Sequence, residues 1–335
     1  MSGRNSATTG RAHTSDAHTE RPRLGVSSRP LGEPVHHDGG HRFLTDRLAP
    51  YVEWVVLHPE DETGPDAPRE TPHPRRGESG AAAPRRVRGA ESGTDHTDRL
   101  AAVADAHRAD PDTLDGCVLK DEPSGCGLFA LPVSAEGDRG DGEGRGTCVE
   151  RLLGLDPELP VEEEARLSDA GVRDRFVERI FAHARLRELL GGHWRPRDLV
   201  AFHSRHKLQL MAHRPDSYRA LGRVVANAGR ESREAIGSDY RAGFHAALAL
   251  RATPGRHVNA LHHAFGMVSA LLDGTRRHEV LASIASYRSG EVPITVPAAL
   301  IRDHCVAEGV TWAAEQTYLA PFPAELGSRD SPGRP

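Results

Sequence analysis

Phe43-Leu44-Thr45-Asp46-Arg47-Leu48-Ala49-Pro50-Tyr51-Val52-Glu53-Trp54-Val55-Val56-Leu57 is the stretch that decides the fold class. Its first nine residues read as a short helix, with Leu44 and Leu48 one turn apart. Val52 to Leu57 is apolar and rich in β-branched residues, as a buried strand requires. Upstream, Leu24-Gly25-Val26-Ser27 reads as another strand, feeding a Gly/Pro-rich loop that reaches Gly40. Downstream, Thr97 to Arg108 carries Leu100, Val103 and Ala104 at helical spacing. Cys117-Val118-Leu119 is a further strand, and Leu128 to Val133 a fourth. Strand–helix–strand alternation over 23–133 predicts an α/β domain, a small open sheet with flanking helices. Ligands of such sheets sit beyond the carboxyl ends of the strands. The loops after Ser27, Leu57 and Lys120 are therefore the places where chemistry is expected.

A Gly-rich, charged stretch at 134–147 predicts a flexible linker, and the pattern behind it is helical. Ser168 is the expected N-cap of a helix striped by Val172, Phe176 and Ile180, stopped at Gly191-Gly192. Pro196 suits the first turn of a second helix running to about His213. A third spans Asp216 to Ala228. Val258, Leu261, Phe265, Val268 and Leu272 form a stripe after the Thr253-Pro254-Gly255 turn, and the prolines at 293, 297, 321 and 323 break helices. The expected organisation is a disordered leader (1–22), an α/β domain (23–150) with a disordered loop at about 61–92, an all-α domain (165–327), and a disordered tail (328–335).

Among the 335 residues, 37% are hydrophobic and 5% aromatic, and no apolar run approaches the ~18 residues of a membrane span. The polar first 22 residues lack a signal-peptide core, and four cysteines in a chain of this length do not make a disulfide scaffold. These features predict a cytoplasmic protein without a membrane partner; no protein partner can be deduced. The whole chain carries 43 Lys+Arg against 48 Asp+Glu, yet residues 171–260 hold 17 basic and 8 acidic side chains, a local net of +9. Such a segment suits a polyanion, and equally an Arg-rich helical surface. Lys120 and Lys207 are the only lysines.

Several clusters could carry chemistry. His36, His37, Asp38 and His41 crowd one Gly-rich loop, which also reads as merely solvated. His58-Pro59-Glu60 ends a strand, where a carboxylate can serve as a general base. Ser124-Gly125-Cys126-Gly127 sets a thiol between glycines, where backbone N–H groups can favour the thiolate. In the helical half, His203, His206, Lys207 and Arg214 share a sector with Leu199 and Leu210. Polar groups on an apolar face either line a cleft or satisfy buried partners. Arg256-His257 opens a later helix; with Arg195, Arg197 and Arg205 these residues could track a phosphate backbone.

These loops resemble a known order. Gly25 to Val35 and Asp38-Gly39-Gly40-His41 resemble the opening of the thiouracil desulfidase (TudS) family, G-V-S-S-C-L-L-G-E-P-V-R-Y-D-G-G-H. His58-Pro59-Glu60 falls on that family's C-P-E, Pro68-Arg69-Glu70 on its P-R-E, and Leu119-Lys120 through Cys126-Gly127 on its L-K-x-x-S-P-S-C-G. Residues 160–330 are similar to the YbgA-like domain, through Arg175-Phe176-Val177-Glu178-Arg179, Trp194-Arg195-Pro196, Leu199 to His213, Gly255 to Asn259, and Tyr318-Leu319 with Pro321-Phe322-Pro323. The order is that of the fused RudS-type desulfidases that remove sulfur from 4-thiouridine in tRNA.

The resemblance implies a [4Fe-4S] cluster held by three cysteines, with one iron open to the thiocarbonyl sulfur, and C–S hydrolysis as the activity. It implies Cys126 as a cluster ligand, Glu60 as acid/base, Ser124 as an approximate stand-in for the catalytic serine, and the helical domain as the tRNA holder. In that reading Arg195, Arg197, His203, Arg205, His206, Lys207, Arg256 and His257 contact RNA. The first cysteine position, however, holds Arg29 and the second His58; Gly125 stands in the serine slot. An imidazole can bind iron, whereas a guanidinium stays protonated and cannot. The expectation is thus a desulfidase-family protein for thiolated uridine in tRNA, or for the thiolated nucleoside, with an absent or altered cluster. The alternatives are a non-catalytic tRNA or nucleotide binder and a decayed structural remnant.

Overall fold

The computed structural model describes residues 21–27, 42–57, 95, 98, 114–119 and 147–327, with the backbone of strands at 72–75, 86–89, 131–135 and 138–144. The strands are β1 (Arg23–Ser27), β2 (Glu53–Leu57), β3 (Pro72–Arg75), β4 (Arg86–Gly89), β5 (Gly116–Leu119), β6 (Leu131–Ala135), β7 (Asp138–Gly144) and β8 (Val161–Glu163). β2, β1, β5 and β8 form a four-stranded sheet in that order. All three pairings are parallel, with Ser27 opposite Leu57, Val26 opposite Val118 and Cys117 opposite Val161. The expected α/β layer is present, and the predicted strands at 24–27, 52–57 and 117–119 hold to within a residue. Between β1 and β2 the expected short helix is a π-helical turn, Phe43–Leu48, followed by a 3₁₀ turn, Ala49–Tyr51.

Two stretches expected to lack structure depart from that reading. The loop at 61–92 contains β3 and β4, and the linker at 134–147 contains β7 and the end of β6. These strands make a second sheet in the order β4-β3-β6-β7, mostly antiparallel. Backbone ladders need no apolar side chains, so Pro72–Arg75 and Asp138–Gly144 give no hydrophobic signal. Most of the leader, the Gly-rich loop to Gly40, most of the helix expected at 97–108, and the tail from 328 lie outside the described residues.

The helices are α1 (Thr147–Leu155), α2 (Ala170–Gly191), α3 (Pro196–Arg205), α4 (Lys207–His213), α5 (Pro215–Ala226), α6 (Arg233–Ala249), α7 (Pro254–Gly266), α8 (Gly274–Ser289), α9 (Thr295–Ala307) and α10 (Thr311–Ala314). The first long helix is capped by Asp169, whose carboxylate accepts from Val172 N at 2.8 Å, one residue later than the predicted Ser168. The helix predicted from Pro196 to His213 breaks at His206, where φ is −94° and ψ is 5°. Gln316, buried and more than a hundred residues away, spans that break: its Nε2 donates to Ser204 O at 2.9 Å and its Oε1 accepts from Leu208 N at 3.4 Å. A distant side chain thus satisfies backbone groups that an unbroken helix would pair internally.

Helix α2 joins the two halves. Phe176, Val177, Ile180 and Phe181 pack with Leu24 and Val118 of the sheet and with Phe43, Leu44 and Leu48. Ala182 and Leu186, one to two turns on, belong to the core of α3, α5 and α6. The opposite face of the sheet is covered by Val149 and Leu152 of α1, packed on Cys117, Leu119 and Val161. The chain end returns to the first half: Leu326 enters the same cluster as Leu24, and Arg47 donates to the carbonyls of Glu325 and Gly327. A fourth cluster binds α4, α7, α8 and α9. No helix among the described residues is long and apolar enough to cross a membrane.

The seam between sheet and α2 is tight at Gly116, where an added Cβ would stand 2.6 Å from Ile180 Cγ2. Such a contact forces backbone or rotamer shifts. Gly116→Ala is therefore expected to destabilise the chain by about 1–3 kcal/mol, read as a lower urea midpoint, and an unchanged midpoint would show that α2 slides freely on the sheet.

Candidate functional site

In a parallel sheet every strand ends on the same edge. Ser27, Leu57 and Leu119 accordingly finish side by side, and the segments leaving them are those that contain Arg29, His58, Glu60, Ser124 and Cys126. Those five residues lie outside the described residues. The other cysteines are elsewhere: Cys117 is buried in β5 against α1, Cys305 is buried in α9, and Cys148 stands in the first turn of α1. Among the described residues no group of three His, Cys, Asp or Glu side chains is arranged to hold a metal ion. The strand-end segments offer one thiol, one imidazole and one guanidinium at the three cysteine positions of the resembled pattern. That donor set does not fit a three-thiolate cluster.

The opposite, amino edge of the sheet carries a buried ionic network. Asp115, immediately before β5 and 0% exposed, accepts from His183 Nδ1 at 3.0 Å and from the Arg187 fork at 2.8 and 2.9 Å, as well as from Arg23 N at 2.9 Å. His183 Nε2 faces Asp156 Oδ2 at 3.7 Å, beyond hydrogen-bond range but close enough for strong attraction. Arg241 of α6 holds Asp156 at 2.5 Å and Glu158 at 3.2 Å. Burial disfavours charge on His183, but hydrogen bonds and attraction from Asp115 and Asp156 outweigh it and raise its pKa. Burial likewise opposes the Asp156 charge, yet His183 and Arg241 hold its pKa at about 2. His245, stacked on His183 with centroids 4.7 Å apart, is driven to its neutral form by burial and by that cation. These groups lock sheet, α2 and α6 together at the edge away from the strand-end loops.

A second buried centre lies in the helical body. Glu178 of α2 accepts from Gln209 Nε2 at 2.7 Å and faces His213 Nε2 at 3.3 Å, while His213 Nδ1 donates to Leu250 O at 2.6 Å. Burial works against the Glu178 charge, but His213 and Gln209 hold its pKa at about 2, and His213 is raised in return. Arg256 donates to His213 O at 2.9 Å, and His257 pairs through Nδ1 with the Tyr318 hydroxyl at 3.1 Å. Burial drops the His257 pKa to about 4.

The candidate RNA contacts therefore divide. His203 is buried, stacked on Tyr218, bonded to the Tyr240 hydroxyl at 3.1 Å, and lowered by burial to about 4. His206 is buried too, its Nδ1 donating to Phe202 O at 2.8 Å, and burial together with Arg185 lowers it to about 3. Both are neutral interior groups, so they satisfy partners and line walls rather than meet phosphates. Arg256 and His257 belong to the Glu178–His213 centre. Arg195 and Arg197 lie open at the start of α3, 65% and 71% exposed, each 3.6 Å from Asp198. Lys207 sits 5.7 Å from the ring of Trp312, itself 44% exposed. Arg205 and His206 line a cavity of about 820 Å³ bounded by α2, α3, α9 and α10, with Arg185 and Arg302. Sequence reasoning did not single out Asp115, Asp156 and His183 and quoted Glu178 only within a motif; Asp115 and Asp156 stand just outside β5 and α1, where an acid reads as a cap or a loop residue, while Glu178 and His183 are polar groups within the α2 register.

The fold and its seam define a parallel α/β layer carrying a helical body, two parts joined by a shared helix. Residues 24–164 match the family described as 2-thiouracil desulfurase, and residues 207–323 match one described as a protein of unknown function, DUF1722. The uncharacterized protein YbgA of Escherichia coli (strain K12) is 31% identical over 159 residues, 47% of this chain and 94% of that protein. No solved structure matches the chain. The chain belongs to the YbgA family, its helical body fused behind a 2-thiouracil desulfurase-like domain.

Proposed function

We propose that this protein binds thiolated uridine in tRNA, in the cytoplasm, and that its iron–sulfur chemistry is lost or altered. The desulfurase match over residues 24–164 supports a thiolated base as the ligand. The observation that carries the reading is the donor set leaving the carboxyl edge of the sheet: Cys126 is the single thiol where the resembled pattern has three, with Arg29 and His58 in the other places. A fixed guanidinium cannot bind iron but suits a phosphate or other anion. On the helical body Arg195, Arg197, Arg205 and Lys207 supply cations at or near the surface. Glu60 and Ser124 remain the proposed polar groups beside the base. No reaction step is assigned to a cluster that these residues do not fit.

Anaerobic purification followed by iron and acid-labile sulfide assays is expected to find far less than one cluster per chain. Binding of tRNA is expected to weaken steeply with salt, at a log–log slope of about −0.7 per phosphate contacted on single strands. A full cluster together with sulfur release from 4-thiouridine overturns the loss of chemistry. Absence of tRNA binding even at low salt overturns the RNA reading. Restoring Arg29→Cys and His58→Cys together is expected to raise iron content if the surrounding loops still cradle a cluster.

A further inference from the structure

Arg173 is the only arginine buried among the described residues, at 9% exposed. Its Nη1 donates to Leu167 O at 3.3 Å, its guanidinium lies 5.1 Å from the centre of the Phe43 ring, and its Nε has no hydrogen-bond partner. No carboxylate among the described residues stands within ion-pair distance of it, whereas the more exposed Arg187, Arg241 and Arg276 are each matched to one or two. Surface arginines without an ion pair are common and are solvated by water; Arg173 is withdrawn from water. The acids nearest along the chain do not neutralise it. Asp169 is exposed and caps α2 through Val172 N, and Glu163, Glu164 and Asp174 have interactions of their own.

The place of Arg173 in the fold is the carboxyl edge of the parallel sheet. His183 meets Asp115 at the amino edge, and Arg173 precedes it by ten residues of α2, ~15 Å of helix. Strands of four or five residues span about the same, ~13–17 Å. Helix α2 therefore crosses the sheet from one edge to the other and begins where β1, β2 and β5 end. Phe43, under the guanidinium, opens the turn that follows the segment leaving β1. Ligands of such sheets gather at this edge. Two effects oppose a cation here: the amino end of a 22-residue helix carries a positive partial charge, and a buried charge without a counter-charge is costly. An anion at this edge offsets both.

We propose that Arg173 belongs to the ligand site at the carboxyl edge of the sheet and holds a phosphate of a bound nucleotide there. The phosphate supplies the counter-charge that the fold withholds. The anion stands on Arg173 itself; thiolated uridine as the base rests on the reading above. The phosphate belongs either to an RNA strand or to a free nucleotide, and the chemistry is shared.

The test is calorimetric titration of the full chain at low salt with 4-thiouridine 5′-monophosphate, 4-thiouridine and inorganic phosphate. The monophosphate is expected to bind at least about tenfold more tightly than the nucleoside, the worth of a charge-assisted hydrogen bond. Arg173→Met, which fills the space without the charge, is expected to erase that difference, and Arg173→Lys to restore part of it. Arg173→Gln repeats the comparison should the methionine variant fail to fold, and Arg219→Gln, exposed and paired with Asp216, is the control. Thermal melts give a second readout. Phosphate is expected to raise the midpoint of the wild type above that in chloride of equal ionic strength, and to leave Arg173→Met unmoved. A residue that merely caps Leu167 and stacks on Phe43 gives the opposite pattern, a lower midpoint with the monophosphate preference intact. That pattern, or a wild type that phosphate stabilises no more than chloride does, would overturn the site. Phosphate protection that depends on Arg173, with neither thiolated compound bound, upholds the anion site and overturns the thiolated-uridine reading. An RNA oligomer carrying one 4-thiouridine that competes with the monophosphate assigns the phosphate to a strand, and one that does not assigns it to the free pool; either upholds the site.

Discussion

Asp115→Ala is expected to lower the unfolding free energy by about 3–5 kcal/mol, the cost of stranding buried charge, read as a shift of the urea midpoint at unchanged slope. Asp115 is the common acceptor for His183, Arg187 and the Arg23 backbone. Removing it takes their shared carboxylate from the buried His183 imidazole and the half-buried Arg187 guanidinium, and opens a polar gap where α2 meets the sheet. The electrostatic signature separates this from simple loss of volume. His183 owes its raised pKa to Asp115 and Asp156 against the pull of burial, so an NMR titration of its ring should show a lower pKa in the variant. An unmoved His183 titration would mean that the network does not act as the structure draws it.

Glu178→Ala is expected to cost a similar ~3–5 kcal/mol, because His213 would stay buried beside the Leu250 carbonyl without its carboxylate. Glu178→Gln, which retains the volume, should cost less and should still lower the His213 pKa. The two centres together shape the pH dependence of the wild type. For His183 and His213 the folded pKa is raised, so their stabilisation is fully present below the unfolded value near 6.5 and is lost as pH rises through the folded values. For His203, His206 and His257 the folded values are about 4, 3 and 4. There the unfolded chain takes up protons first, and stability is lost as pH falls below about 6.5 toward those values. Asp156 and Glu178, both held at about 2, add a further loss at lower pH still. Urea unfolding across pH should therefore show a maximum near neutrality that flattens on the alkaline side in either variant. Equal slopes in wild type and variants above pH 7 would rule out this assignment.

Much of the fold can be read along the chain. β1 and β5 announce themselves as short apolar runs, because a parallel strand covered on both faces carries a continuous hydrophobic signal; β2 is also apolar but lies at the sheet edge, with Glu53 and Val56 exposed and only Leu57 buried. The helical half shows its stripes and its punctuation at Pro196, Pro254 and Gly191-Gly192. The motifs of both halves, and the departures at Arg29, His58 and Gly125, stand in the residues themselves. The second sheet escapes this reading, since its ladders rest on backbone bonds and its side chains carry no period.

The polar sites are harder to read from the chain. The sector shared by His203 and His206 with Leu199 and Leu210 announces unusual groups on an apolar face, but periodicity cannot say whether they meet a ligand or a partner. The structure assigns His203 to Tyr240 and His206 to the cavity wall. The basic excess of 171–260 also looks like a surface until Arg187, Arg241 and Arg256 are found engaged with groups far along the chain.

Local order, then, is the sequence's own work: where strands and helices fall, that the first half is α/β and the second helical, and that two sulfur donors are missing. Tertiary structure alone decided that α2 serves both cores, that the helix after Pro196 breaks at His206 under the grip of Gln316, and that Arg185, Arg205 and Arg302 face one recess. The reason is physical: spacing along a helix fixes which side a residue occupies, whereas burial, charge pairing and pKa depend on what another segment brings to that side.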